Sequence, residues 1–247
     1  MIMNKDKLIF LDTETTGNDS EARLCQVAYK FEGKEAEGFF KPPIPISIEA
    51  MAVSHITNKM VADKESFSNS AMKKDLEKIF SDERNIFVAH NADFDARILQ
   101  NEGLIIGRKI DTVKIAQYLD EKGEIPRYNL QYLRYYFDLD LELKDAPAHN
   151  ALGDIRVLEK LFDYLFEKME ENLISEEDIL EKMIEISALP VLLKKFNFGK
   201  YKGEKVEDVY RKDARYLRWL WEQKEKAKQR GEENDENWIY TLEYYLK

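Results

Sequence analysis

The 247-residue sequence predicts an α/β fold followed by a small, mainly helical C-terminal module. Three observations carry that expectation. Short apolar runs at residues 8–11, 24–31 and 86–89 have strand composition and end in polar turns. Stretches with a 3.6-residue apolar period, at 70–80, 130–137 and 148–166, alternate with or follow them. Beyond Pro190 the chain reads as a glycine-bearing turn and two helices.

A hydrophobic content of 44% is ample for a packed core, and a formal net charge of -10 excludes a surface that is basic throughout. A polyanionic ligand would have to be met by a local patch or by metal ions. The single cysteine, Cys25, excludes an internal disulfide and suits a reducing compartment. No leader-like segment is legible at the start, and no stretch approaches the roughly 20 apolar residues of a membrane span. These features together predict a cytoplasmic enzyme or binding protein.

The run Leu8, Ile9, Phe10, Leu11 predicts a strand buried on both faces. Asp12 and Glu14 follow it, and the period of two puts them on one face. Two like charges side by side at the edge of an apolar sheet are costly unless a cation lies between them, and a divalent metal is the natural candidate. An isolated DxE also fits an ordinary strand entering a polar turn, so the rest of the chain must decide. Gly17 suits a tight exit turn. A second strand over 24–31 is expected to place Cys25, Val27, Tyr29 and Phe31 on one face, and Gly33 permits a hairpin into a third strand over 36–40.

Pro42, Pro43 and Pro45 then interrupt regular structure, and 48–60 reads as short helical turns with His55 as a loop anchor. After a helix over 70–80, the strand 86–89 ends in HNADFD, residues 90–95. A strand passing through polar residues into a helix is how open α/β sheets present functional groups. Asn91 or Asp93 also fits a helix cap, whereas Asp95, inside the helix between Phe94 and Ala96, needs a partner. Residues 110–119 read as a strand entering a helix. In the strongly amphipathic 148–166 helix, Asp154 falls near the buried stripe, with His149 five residues before it. A near-neutral pKa suits His149 to general base work.

If the chain folds as read, Asp12, Glu14, Asp95, Asp154 and His149 converge at the C-terminal edge of one sheet. Hard oxygen ligands suit Mg²⁺ or Mn²⁺ and suit zinc poorly. Two such ions can hold the attacking and leaving oxygens of an in-line phosphoryl displacement. In the tail, Ser175 and Asp178 form a capping-box-like start to a helix. Residues 196–230 hold eleven Lys or Arg against six Asp or Glu, a local excess of five positive charges. FGKYKG, residues 198–203, reads as a turn. The helix after Asp213 puts Leu217, Leu220 and Trp221 on one face, leaving Arg211, Arg215 and Arg218 elsewhere, and the tryptophans are expected in the core.

The residues resemble the DEDDh 3′-to-5′ exonucleases, whose three motifs stand here as DTETTG (12–17), HNADFD (90–95) and HNALGD (149–154), so the similarity covers roughly 7–166. The resemblance implies a ribonuclease H-like mixed β-sheet flanked by helices. Asp12, Glu14, Asp95 and Asp154 are implied as ligands of two Mg²⁺ or Mn²⁺ ions, and His149 as the base that takes a proton from water. Segments 41–64 and 198–220 are similar to the bacterial exodeoxyribonuclease X family. That extends the similarity over nearly the whole chain and implies release of 5′-mononucleotides from DNA 3′ ends. Many members have a Leu after the motif-one glycine, which wedges against terminal bases; this chain has Asn18 and then Asp19.

Thr13, Thr15, Thr16, Asn91, Phe94, Lys200 and Lys202 are the expected substrate contacts. The expected division is a catalytic domain over 1–172, a helical connector over 173–195 and a C-terminal module over 196–247. The expected partner is DNA with a free 3′ end, with RNA as the alternative substrate, no membrane, and a homodimer as an open assembly. A ribonuclease of the same superfamily and a non-catalytic, polymerase-associated scaffold are the competing functions.

Overall fold

The computed structural model describes residues 4–139, 151–170, 175–230 and 235–247. The chain forms two compact units, Met1–Val113 with Asn129–Ile184, and Lys114–Tyr128 with Glu185–Lys247.

In the first unit, strands β1 (Leu8–Thr15), β2 (Leu24–Phe31) and β3 (Lys34–Phe39) make the expected antiparallel meander. Glu32 and Gly33, at φ 49° and 75°, supply the left-handed pair that a two-residue hairpin requires. Strands β4 (Ile86–Ala89) and β5 (Arg108–Asp111) add in parallel beyond β1, giving a mixed five-stranded sheet in the order β3-β2-β1-β4-β5. Because β1, β4 and β5 run the same way, their C-terminal ends share one edge.

Helices α1 (Ile48–Ser54), α2 (Asn58–Val61) and α3 (Ala71–Phe80) follow the meander, each opened by a Ser or Thr cap at Ser47, Thr57 and Ser70. After β4 comes α4 (Ala92–Asn101); after β5 come α5 (Thr112–Leu119), α6 (Leu130–Tyr136), α7 (Ala151–Glu170) and α8 (Glu176–Ala188). Ser175 Oγ accepts the Asp178 amide at the start of α8, as the capping pattern predicts.

Alternation along β1 sorts the layers. Ile9 and Leu11 join Leu76, Phe87, Ile98 and Leu99 in the core under α3 and α4. On the other face α7 packs over β1 and β2, and the Phe162 ring meets Phe10 edge-on at 5.5 Å. Asp12 and Glu14, in phase with Phe10, therefore share the face that α7 covers.

Cys25 departs from the expected face of β2. The register between β1 and β2 shifts at Glu14 and Thr15, which pair with Gln26 and Leu24, so Cys25 is the extra residue of a β-bulge. Leu24, Val27 and Tyr29 then lie in the core beneath α3 and α4, while Cys25 packs with Ile46, Ile56 and Val61. A bulge resets the period of two, and only strand pairing reveals it.

In the second unit, α9 (Val206–Gln229) and α10 (Glu236–Leu246) pack together around Phe196, Val206, Val209, Leu217, Trp238 and Leu242. The helix expected after Asp213 is present as the second segment of α9, preceded by a shorter helical segment from Val206. Asp213, at φ -149° and ψ 60°, kinks α9 and caps its second segment by accepting the Tyr216 amide. Trp238 is buried as expected, whereas Trp219 is 53% exposed, a correction that follows from its position beside rather than on the Leu217–Leu220 stripe.

Candidate active site

Each acidic side chain is delivered by a separate local rule. Strand alternation presents Asp12 and Glu14 from β1. Asp95 lies in the first turn of α4 and Asp154 in the first turn of α7, where the helix dipole favours a carboxylate. His149 lies outside the described residues.

The four carboxylates act on one another. Burial, then repulsion from Asp95, Glu14 and Asp154, holds the Asp12 carboxyl well above the usual range. Burial and the charge of Asp154 push Glu14 up to about 7. Burial also pushes Asp95 up to about 7, against hydrogen bonds from Thr13 that favour its charged form and with further repulsion from Asp111. Among the described residues no three His, Cys, Asp or Glu side chains are closed into a metal cage. The donor set nevertheless fits a hard divalent cation: all four groups are carboxylates, and the repulsion among them is what such an ion relieves.

Neighbouring groups hold these acids in place. Asp95 Oδ1 accepts from the Thr13 hydroxyl at 2.6 Å and the Thr13 amide at 3.1 Å. The buried Thr15 hydroxyl donates to Gly17 O at 2.6 Å, and the Thr16 hydroxyl accepts the Arg23 amide at 2.9 Å, so both close the turn leaving β1. Asn91 occupies the N-cap of α4 at φ 75° without a side-chain cap bond, and it is exposed. The Arg97 guanidinium lies 5.3 Å from the Phe94 ring centroid and donates to the carbonyls of Asn18 and Asp19, pinning the segment that follows Gly17. Lys200 pairs with Asp213 at 3.2 Å, and Lys202 is exposed.

Two residues of this edge went unread in the sequence. Asp111, buried at the end of β5, accepts the amides of Asn91 and Val113 and adds to the field on Asp95. A carboxylate closing a short buried strand was its only signal. Gln131, on α6, donates to Asp154 Oδ1 at 2.6 Å. No local pattern marks it, because the bond joins residues from different helices.

Replacing Thr13 by Val keeps the shape but removes the shorter of the two donors to Asp95. If Asp95 serves as a metal ligand, turnover is expected to fall about tenfold to a hundredfold, the usual cost of losing a hydrogen bond that orients such a group. Steady-state rates of the purified variant check this, and unchanged turnover would show that the hydroxyl does not position Asp95.

Residues 9–162 match the exonuclease family, and residues 196–225 match the exodeoxyribonuclease X-like C-terminal family. The chain belongs to the exonuclease family. It is 31% identical over 220 residues to exodeoxyribonuclease 10 of Escherichia coli strain K12, covering 87% of this chain and 90% of that protein. A more distant relative of this exonuclease is the DNA polymerase III subunit epsilon of Buchnera aphidicola subsp. Schizaphis graminum. The two are 28% identical over 183 residues, or 64% of this chain and 74% of the other. Among solved structures, exonuclease X in complex with 5′ overhanging duplex DNA is similar at a TM-score of 0.54 and 28% identity, covering 73% of this chain and 99% of that one. No helix among the described residues is long and apolar enough to cross a membrane.

Proposed function

We propose that this exonuclease removes nucleotides from the 3′ ends of DNA, single-stranded or frayed, and releases 5′-mononucleotides. The observation that supports this most is the mutual repulsion of Asp12, Glu14, Asp95 and Asp154 at one sheet edge. These four would hold two Mg²⁺ or Mn²⁺ ions. When bound, such ions supply charge stabilisation to a phosphoryl group undergoing in-line displacement.

The protein's own groups have distinct assignments. His149, placed by the HNALGD motif, takes the proton of the attacking water. Water adds to phosphorus as the bond to the 3′ oxygen breaks; that oxygen takes a proton from solvent, so the shortened strand keeps a 3′-hydroxyl. Thr13 holds Asp95, and Gln131 holds Asp154, so that both carboxylates keep a fixed direction. Substrate contact is assigned to Thr13, Thr15, Thr16, Asn91 and Phe94 around the acids, and to Lys200 and Lys202 in the second unit. The functional division is taken as residues 1–172 for catalysis and 196–247 as an accessory module, joined by 173–195. The names of the similar exodeoxyribonuclease 10 and DNA-bound exonuclease X favour DNA over RNA as substrate.

The test is a degradation assay on 5′-labelled single-stranded DNA, frayed duplex and matched RNA, with Mg²⁺ or Mn²⁺ and with EDTA. A ladder shortening from the 3′ end of DNA, abolished by EDTA, is expected. Release from RNA alone would move the assignment to a ribonuclease, and no release from any end would remove the catalytic reading.

A further inference from the structure

The second unit contains a cleft of about 670 Å³ lined by Arg127, Lys194, Lys195 and Lys202, with Glu124 as its one carboxylate. In a chain of net charge -10 this is a local concentration of positive charge. Arg127, Lys194 and Lys202 have no ion-pair partner among the described residues, whereas nearby Lys200 and Lys212 are paired with Asp213 and Glu204.

The backbone carrying these cations is built rather than loose. Asp120 accepts the amides of Glu124 and Ile125 at 2.8 and 2.9 Å and the Tyr128 hydroxyl at 2.6 Å, which closes the loop that bears Arg127. Burial opposes the charge of Asp120, but those hydrogen bonds and nearby Lys195 outweigh it and hold the carboxyl below its usual range. Gly123, at φ 62°, brings that loop against the chain at Lys194: a Cβ there would stand 2.6 Å from Lys194 Cβ. Lys195 is bridged to Lys205, and Lys194 O accepts the Val206 amide. The Lys202 turn is tied by the Gly203 amide to Phe196 O at 2.7 Å.

We propose that this cleft binds the phosphodiester backbone of a nucleic acid strand. The inference rests on the exonuclease reading but moves strand binding away from the C-terminal segment alone. Arg127 comes from the loop after α5, and Lys194 and Lys195 precede α9. Four cations brought from two separate segments onto a fixed backbone, with Glu124 the one lining carboxylate and Asp120 beside Lys195, leave an excess of positive charge along the cleft that suits the repeated phosphates of a strand.

The test measures binding of a fluorescein-labelled single-stranded DNA oligomer by anisotropy, with EDTA present so that no strand is cut. The combined variant Arg127→Glu, Lys194→Glu, Lys195→Glu is expected to bind at least about tenfold more weakly. Its slope of log affinity against log salt should be shallower by about 2, three phosphate contacts at about 0.7 each. A single-stranded RNA of the same sequence should lose affinity by the same factor. A matched reversal on α9, Arg218→Glu, Lys226→Glu, Lys228→Glu, should cost less than about twofold; an equal loss there would reduce the effect to net charge and overturn the site. Where circular dichroism shows the cleft variant melting early, the Gln replacements carry the same comparison. Unchanged affinity and slope in folded variants overturn the proposal, as does displacement of DNA by polyglutamate as effectively as by unlabelled DNA. Because binding is read without metal, failure of the wild type to release nucleotides with Mg²⁺ would count against the exonuclease reading alone.

Discussion

Asp12→Asn is expected to lower nucleotide release by at least about a thousandfold while making the metal-free protein more resistant to heat at neutral pH. The rate falls because Asn removes a charge that would hold the metal ions, and the heat resistance rises because the same charge is costly where no ion is bound. The Asp12 carboxyl holds its proton more tightly in the folded chain than in the unfolded chain, because it is buried and faces Asp95, Glu14 and Asp154. As pH rises above the ordinary carboxylate value of about 4, the unfolded state loses that proton first. Stability then falls with pH until the raised native value is passed. Glu14 and Asp95, both pushed to about 7, act in the same direction.

Asn carries no charge to desolvate. The melting temperature of Asp12→Asn should therefore match the wild type near pH 4 and exceed it increasingly toward pH 8. Mn²⁺ should raise the wild-type melting temperature at pH 8 and raise the variant less, since ligand binding stabilises only by what the folded state gains. Thermal scans at several pH values, with Mn²⁺ and with EDTA, read all of this. Wild-type rates of release from Asp12→Asn would sink the metal-dependent mechanism.

The largest effect on stability is expected from Phe162→Ala, at about 3–5 kcal/mol. The Phe162 ring is wholly buried, edge-on to Phe10 and 6.0 Å from Phe166, so truncation leaves a cavity between α7 and the sheet. A loss of that size is a large share of the stability of an ordinary domain. It also loosens the helix whose first turn carries Asp154. Urea denaturation should show the drop, and turnover of the folded fraction should fall with it. A loss below about 1 kcal/mol would mean that α7 is not seated on β1 as described.

Legibility in the sequence followed the range of the physics involved. Asp12 and Glu14 were readable because strand periodicity is local, and the three-strand meander because Gly33 carries its own turn chemistry. Asp95 and Asp154 needed the company of the other motifs. Asp111 and Gln131 were not readable: their roles arise from hydrogen bonds to groups 20 and 23 positions away. The same holds for the hydrogen bond by which Thr13 holds Asp95, across 82 positions. Cys25 was misplaced for a related reason, since a bulge belongs to a pair of strands and not to either one alone.

By itself, then, the sequence determined the α/β class, the acidic character of the site and the family, because apolar period, turn residues and short motifs are properties of neighbouring positions. Tertiary structure alone decided what repels or restrains each acid, where the bulge falls, and which of the many lysines and arginines gather in one cleft. The physical reason is that burial, electrostatic fields and hydrogen bonds depend on distance through space. The DxE pair points to its chemistry only in the company of the other two motifs, and the burial and repulsion that call for a cation there exist only once α4 and α7 have brought Asp95 and Asp154 to the same edge.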